Sequence, residues 1–253
     1  MRGDDGATES FLTTTIFVAG ASGILGLRTV RLLHEAGYIV HGTTRWASKV
    51  DSVRRAGAWP MIVDVFDRPA LEMHMISIGP SIVMHLLTDL ARPVDGAFSL
   101  DAITANARNR LEGTRNLIAA AHAAGAQRII AQSIAWAYAD GPLPHMELDP
   151  LDVNAKGPRA ISVAGVVALE DQVLNSPSLA GVVLRNGRFY GPDTGADRAE
   201  SPAVHVDAAA YAALLAVERA DLGLFNIADD NSVVSTEKAR SVLGWTPSFR
   251  MQP

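Results

Sequence analysis

From Thr15 onward the chain alternates between two hydrophobic patterns. Short apolar runs rich in β-branched residues read "TIFVAG", "YIVHGTTR", "WPMIVDV", "SIVMHLL", "RIIAQSI", "GVVLRNGRFYG" and "GLFNIAD". Their length and β-branched content predict strands. Between them lie segments whose apolar positions recur three and four apart, the helical spacing. These are "ILGLRTVRLLHEAG" with Gly37 as its stop, the short "KVDSVRRAG", "RPALEMHMIS" with Asp67 as N-cap, and a long helix from Ser99 to Ala124. Two more follow, "AISVAGVVALED" over residues 160–171 and "HVDAAAYAALLAVERA". Gly79-Pro80 separates the third helix from the fourth strand. Strands alternating with helices of this length predict a parallel sheet covered on both faces, joined by right-handed crossovers. The expected fold class is therefore α/β, a doubly wound parallel sheet of the Rossmann type.

The pattern also sets the expected domain layout. Residues 1–12 are polar and acidic and read as a disordered tail; 13–253 form a single Rossmann domain. Its substrate-side rim comes from about 139–160, 191–204 and 228–253, a very small lobe at the C-terminal side.

The first strand runs into "GASGILG", which places Gly20, Gly23 and Gly26 at a Gly-x-x-Gly-x-x-Gly spacing before the first helix. A turn there needs glycine, the pyrophosphate of a dinucleotide needs close backbone approach, and a helix N-terminus favours the anion. Gly20, Ser22, Gly23, Ile24, Leu25 and Gly26 are accordingly the expected phosphate-side ligands. The end of the second strand then bears on the choice of dinucleotide. An acid there would accept from a ribose 2′-hydroxyl. The chain instead reads "GTTRWASK", with Arg45 at that place. A guanidinium suits a 2′-phosphate, so NADP is the expected cofactor, with NAD as the other possibility. Asp64 and Val65 close the third strand; Asp64 either accepts from an adenine amino group or serves as a strand-end turn residue. Backbone from His85 to Thr88, including Leu86 and Leu87, is expected to run beneath the cofactor, with His85 itself packed in the core.

Bulk chemistry narrows the partners. Across 253 residues the net charge is −5, with 48% hydrophobic and 19% charged residues. No basic stripe exists to neutralise phosphates, which argues against nucleic acid. No run approaches the ~18–20 apolar residues that span a bilayer, so no membrane partner is expected. The chain has no Cys, which excludes thiolate metal sites and fits a reducing cytoplasm; no metal site is expected.

The fragments "VAGASGILG", "VDVFDRPAL", "IVMHLLTD", "EGTRNLIAAAHAAGAQRIIAQSIAWAY", "VVLRNGRFYGP", "AVHVDAAAYAALLA", "GLFNIAD" and "EKARSVLGWTPSF" resemble, in order and almost end to end, the extended or atypical branch of the short-chain dehydrogenase/reductases, the NAD-dependent epimerase/dehydratases. The resemblance implies a substrate-facing Ser133 at the end of the fifth strand, bonded to a substrate carbonyl. It places Asn186 near the nicotinamide, Tyr190 toward the substrate side in either a packing or a contact role, and Tyr138 at the close of the Ser-to-Tyr segment, though not as the family's usual acid. It also implies a helix carrying Tyr, Lys four residues on and Glu at eight. Glu170 fixes that register, and Ser162 and Val166 then occupy the Tyr and Lys positions. Without that pair the usual general acid is missing, a loss worth about 10²–10⁴ in rate.

Two readings remain. One is an atypical NADP-dependent oxidoreductase or epimerase/isomerase acting on a small carbonyl compound, with Tyr138, His145 or water supplying the proton. The other is a non-catalytic NADP-binding redox sensor or regulatory protein. The resemblance further implies a homodimer, because helices like 99–124 and 160–175 pair across a two-fold axis in such proteins.

Overall fold

The computed structural model describes residues 14–89, 98–220 and 222–252. The expected tail, 1–12, lies outside the described residues. Strands β1 (Thr15–Ala19), β2 (Ile39–Thr44), β3 (Trp59–Ile62), β4 (Ile82–His85), β5 (Arg128–Ile134), β6 (Ala180–Asn186) and β9 (Gly223–Ile227) form one sheet. Its order is β3-β2-β1-β4-β5-β6-β9, and every pair is parallel. The chain moves outward from β1 in one direction and then returns to continue from β4 in the other. A doubly wound sheet of this kind opens a crevice between the C-terminal ends of β1 and β4.

Both faces of the sheet are buried, so its strands alternate between two cores rather than between core and water. In β1, Ile16 and Val18 join one apolar cluster, while Phe17 and Ala19 join the other. Helix α1 (Ile24–Glu35) and α7 (Val206–Arg219) pack together over the first face; α3 (Arg68–Ile78) meets α5 (Thr114–Ala123) over the second. Helices α2 (Val50–Arg55) and α8 (Glu237–Leu243) are short supports at the edges. Trp245, just after α8, donates its indole N–H to Ala208 O at 2.8 Å and locks the C-terminal segment onto α7. Each fully buried aliphatic or aromatic chain, such as Phe17 or Leu33, contributes roughly 1.5–3 kcal/mol.

Two elements differ from their sequence pattern. The long helix expected from Ser99 to Ala124 is continuous but not uniform. Ser99 caps α4 (Leu100–Arg108) by accepting from Ala102 N, and a π-helical turn over Asn109–Gly113 then leads into α5. The strand expected across "GVVLRNGRFYG" breaks at Gly187. There β6 ends, and β7 (Arg188–Tyr190) pairs instead with β8 (Ala203–His205) in a separate two-stranded sheet. A Cβ on Gly187 would lie 2.6 Å from the carbonyl carbon of Ala203, so only glycine lets the two segments cross this closely. Helix α6 (Gly157–Leu174) begins before the 160–171 segment and ends after it. Among the described residues, no helix is long and apolar enough to cross a membrane.

Candidate active site in the dinucleotide crevice

The crevice holds a cavity of about 250 Å³ lined by the ends of four strands, with Ala19, Gly20, Ser22 and Gly23 on one wall and Leu86, Leu87 and Thr88 on another. Gly20 has φ +87°, and a Cβ there would meet Leu86 C and O at 2.8 Å. A Cβ on Gly26 would sit 2.1 Å from Gly20 O. Any side chain at either position would therefore fill the cradle or push α1 off the loop. Gly23 caps α1 without a side-chain acceptor, and no acid stands in the first turn. The N–H groups at this helix start, which includes Ile24, Leu25 and Gly26, thus lack a side-chain cap, as an anion site requires. Leu25 itself is buried in the core and Ile24 points outward, 40% exposed. These two contribute backbone, not side chains.

Hydroxyls brace the loop against the second strand. Ser22 Oγ donates to Thr44 Oγ1 at 3.0 Å, and Gly20 N donates to Thr43 Oγ1 at 3.4 Å. Val65 lines the cavity, and its carbonyl accepts from Asn116 Nδ2 at 2.9 Å. Asp64 also lines the cavity, while its Oδ1 accepts from Phe66 N at 2.9 Å, the work of a turn residue. His85 is buried in the core and contacts Thr114 Oγ1 at 3.0 Å through Nε2. Because Thr114 donates onward to Arg110 O, the assigned tautomer of His85 carries its proton on Nε2. Burial depresses the His85 pKa to about 4, so the ring stays neutral around pH 7.

At the adenosine end, Arg45, Trp46 and Lys49 form the outer lip. The Arg45 guanidinium lies 5.6 Å from the Trp46 ring centroid. No acid stands near Arg45 along the chain, yet Asp89 reaches it in space and pairs with it through both carboxylate oxygens. Hydrogen bonding to Asp89 pushes the Arg45 pKa further up. That partner went unrecognised in the sequence because it stands past a different strand, at the end of "HLLTD".

At the opposite end, Asn186 finishes β6 beside Ile134 of β5. Its side chain is 1% exposed, and neither amide atom has a partner. An unsatisfied buried amide costs about 1–3 kcal/mol.

The reaction end is more closed than its residue types imply. Ser133 is fully buried and donates to Glu170 Oε1 at 2.6 Å, so its proton is committed inside the protein. Glu170 in turn holds Arg185 through two bonds of 2.9 and 2.6 Å. Tyr138 is buried, donates to Asn226 Oδ1 at 2.6 Å and stacks on His145 at 4.8 Å; burial pushes its pKa up. His145 is likewise buried, not a free loop histidine. Ser162 is half-buried, with its carbonyl accepting from Arg110 at 3.4 Å. Val166 lies in an apolar cluster with Ile134, Ala137 and Val163, flanked by Trp136. Tyr190 donates to Asp229 Oδ2 at 2.7 Å. Of the cofactor-side residues, Gly20, Ser22, Gly23, Arg45, Asp64, Val65, Leu86 and Leu87 line one crevice, whereas Ile24, Leu25, Gly26 and Asn186 are not on its wall. Ser133 and Tyr138 sit in a buried polar network that ties the 139–160 segment to the sheet. Among the described residues, no cluster of His, Asp and Glu could hold a metal ion.

This sheet order, glycine cradle and crevice define a dinucleotide-binding α/β protein. The chain belongs to the NAD-dependent epimerase/dehydratase family, whose model matches residues 16–219, and so to a class of NAD(P)-dependent oxidoreductases and epimerases. Two curated relatives are named as reductases. The 3-diazoavenalumate denitrifying reductase of a Streptomyces species is 33% identical over 92% of this chain and 80% of the relative. A 4-hydroxy-2-methyl-3-oxo-4-farnesyl-3,4-dihydroquinoline-1-oxide ketoreductase of Stigmatella aurantiaca is 30% identical over 70% of this chain, a match spanning 51% of that relative. Among solved structures, the UDP-glucose 4-epimerase of Thermotoga maritima superposes with a TM-score of 0.76 at 20% identity, over 94% of both chains. The Bordetella bronchiseptica enzyme WbmG, in complex with NAD, gives 0.72 at 17% identity, over 99% of this chain and 92% of that one. At these identities the likeness concerns the fold.

Proposed function

We propose that the protein is an NADPH-dependent reductase acting on a small aromatic compound whose reduction needs no proton from a Tyr-Lys pair. One observation carries this reading. The two positions that would hold the acid and its ribose-binding Lys are Ser162 and Val166, and the nearby Ser133 hydroxyl is already spent on Glu170. A ketone reduced here would develop an alkoxide with no protein donor facing it. An aryl diazo group makes no such demand: the ring carbon gains the hydride, and the electrons of its C–N bond leave with N₂. The name of the Streptomyces relative supports an acceptor of this class.

NADPH, when bound, supplies the hydride. The chain supplies the rest. Gly20, Ser22, Gly23 and the start of α1 would hold the pyrophosphate; Arg45 and Lys49 would face the 2′-phosphate. Asp64, Val65, Leu86 and Leu87 would wall the adenosine and its ribose, and Asn186 would bond the carboxamide. Val166 would press an apolar wall toward the ring in place of a cation. Trp136, with the Arg188 guanidinium 4.7 Å from its ring, offers a flat, cationic platform for an aromatic acid. The ketoreductase relative supports a carbonyl acceptor instead, in which case water must deliver the proton.

The test is isotopic. With NADPH deuterated at the transferable position, an ortho-diazophenol carboxylic acid should yield the denitrified phenol with deuterium on the ring. NADPH binding without turnover of diazo or carbonyl compounds would favour the regulatory reading, which the buried Ser133 and Tyr138 also support. We further propose that the protein works in the cytoplasm as a homodimer through the helical stretch that runs from α4 across the π turn to α5 and through α6, along which Leu100, Leu111 and Leu174 are exposed. Sedimentation showing only monomer at micromolar concentration would remove the dimer.

A further inference from the structure

The sheet order places β1 between β2 and β4. Arg45 directly follows β2, and Asp89 lies a few residues past β4. Their ion pair therefore reaches across the exit of β1, over the cavity that Arg45, Trp46, Lys49 and Thr88 line. The pair is not a loose surface contact. Arg45 uses both terminal nitrogens, with Nη1 to Oδ2 at 3.3 Å. Asp89 is fixed from below, its N–H donating to Oδ1 of the buried Asn106 at 3.1 Å. Both side chains are only about one-third exposed, at 37% and 29%.

We infer that Asp89 is a specificity-determining residue: its carboxylate occupies the face of Arg45 that a ribose 2′-phosphate would take, and so limits how strongly the site prefers a phosphorylated adenosine. This rests on the reading of the crevice as a dinucleotide site. A phosphate arriving at Arg45 must replace one anion by another while Asp89 stays anchored by its backbone, so two like charges end within one side-chain length of each other. Lys49 lines the same lip and offsets part of that repulsion, whereas Asp64 adds to the negative side. A ribose bearing a free 2′-hydroxyl asks for no exchange; the Arg45–Asp89 pair stays closed above it. Asp89 thus acts on the 2′-phosphate, chiefly by holding the face of Arg45 that this phosphate would take.

Adenosine 2′,5′-bisphosphate and 5′-AMP probe this end of the site without involving the reaction end. Their affinities are measured by calorimetry on the wild type, Asp89→Asn, Arg45→Ala and the double variant. Asp89→Asn keeps the backbone bond to Asn106, and Asp89→Ser gives the same comparison should the first variant melt early. The expected result is bisphosphate binding about 10-fold tighter in Asp89→Asn, 5′-AMP within about 2-fold, and a clearly smaller gain from Asp89→Asn once Arg45 is Ala. Equal changes for both probes, or none for the bisphosphate, would overturn the role of Asp89 while leaving a nucleotide site in place. Binding of neither probe by the wild type would overturn the dinucleotide reading, and this inference with it.

Discussion

Single residues carry most of the chemistry, and several conceal it from the sequence. His85 reads as a packed histidine, and its burial gives a pH signature. Its pKa falls from 6.5 in the unfolded chain to about 4 in the fold. Between those values the unfolded state binds the proton and the folded state does not, so stability is lost as pH falls from about 6.5 toward 4. The loss approaches about 3 kcal/mol, and urea unfolding should show a much weaker trend over that range for His85→Gln. Val166 makes the opposite point. Restoring a cation with Val166→Lys should not restore the usual active site, because the position is wholly buried among Ile134, Ala137 and Val163. An unpaired charge there costs roughly 3–5 kcal/mol and should lower the Tm by about 10 °C, read by calorimetry. Glu170→Gln should be comparably severe, since it removes the charge that pairs the buried Arg185 guanidinium and sets an amide NH₂ against Arg185 Nη2 in place of Oε2. The placing of Ser162 and Val166 at the Tyr and Lys positions rests on the family resemblance, with Glu170 as its register. The commitment of Ser133 to Glu170 was not legible in the sequence, because hydrogen bonds across 37 residues leave no trace in local pattern.

At the scale of elements the sequence was most informative where both local signals and packing agreed. Glycine spacing, strand alternation and the Asp67 cap all match the structure, the last by accepting from Ala70 N at 3.1 Å. Helical periodicity gave the extent of the long fourth helix but not the π turn at Asn109–Gly113, since one inserted residue barely alters an apolar pattern. That turn sets Asn109 on the cavity wall, in keeping with the frequent placement of π-bulges at functional sites. The break at Gly187 was missed for a related reason. A β-rich run continues on both sides of it, and only the approach of Ala203 ends the pairing. The glycine cradle makes the sharpest prediction at this scale. Gly26→Ala puts a Cβ against Gly20 O, so nucleotide binding should drop at least about 100-fold in a titration, while far-ultraviolet circular dichroism stays close to wild type.

The whole molecule joins an open crevice on one half of the sheet to a buried polar network on the other. The cofactor half of the sheet keeps its open cavity, glycine loop and basic lip. On the other half, Arg185 and Asn226, held by Glu170 and Tyr138, bond Glu147 and the His145 carbonyl and so tie the 139–160 segment to the strands. A protein built this way should bind the cofactor well and be selective for acceptors that need no protein acid. The measurement that tests this most directly is a calorimetric titration of the wild type and Arg45→Ala with NADPH and with NADH. Tight NADPH binding is expected, with weaker NADH binding and a loss of about 10-fold in NADPH affinity for the variant with NADH little changed. NADH bound as tightly as NADPH, with Arg45→Ala affecting both alike, would contradict the 2′-phosphate assignment; no binding of either would contradict the account as a whole.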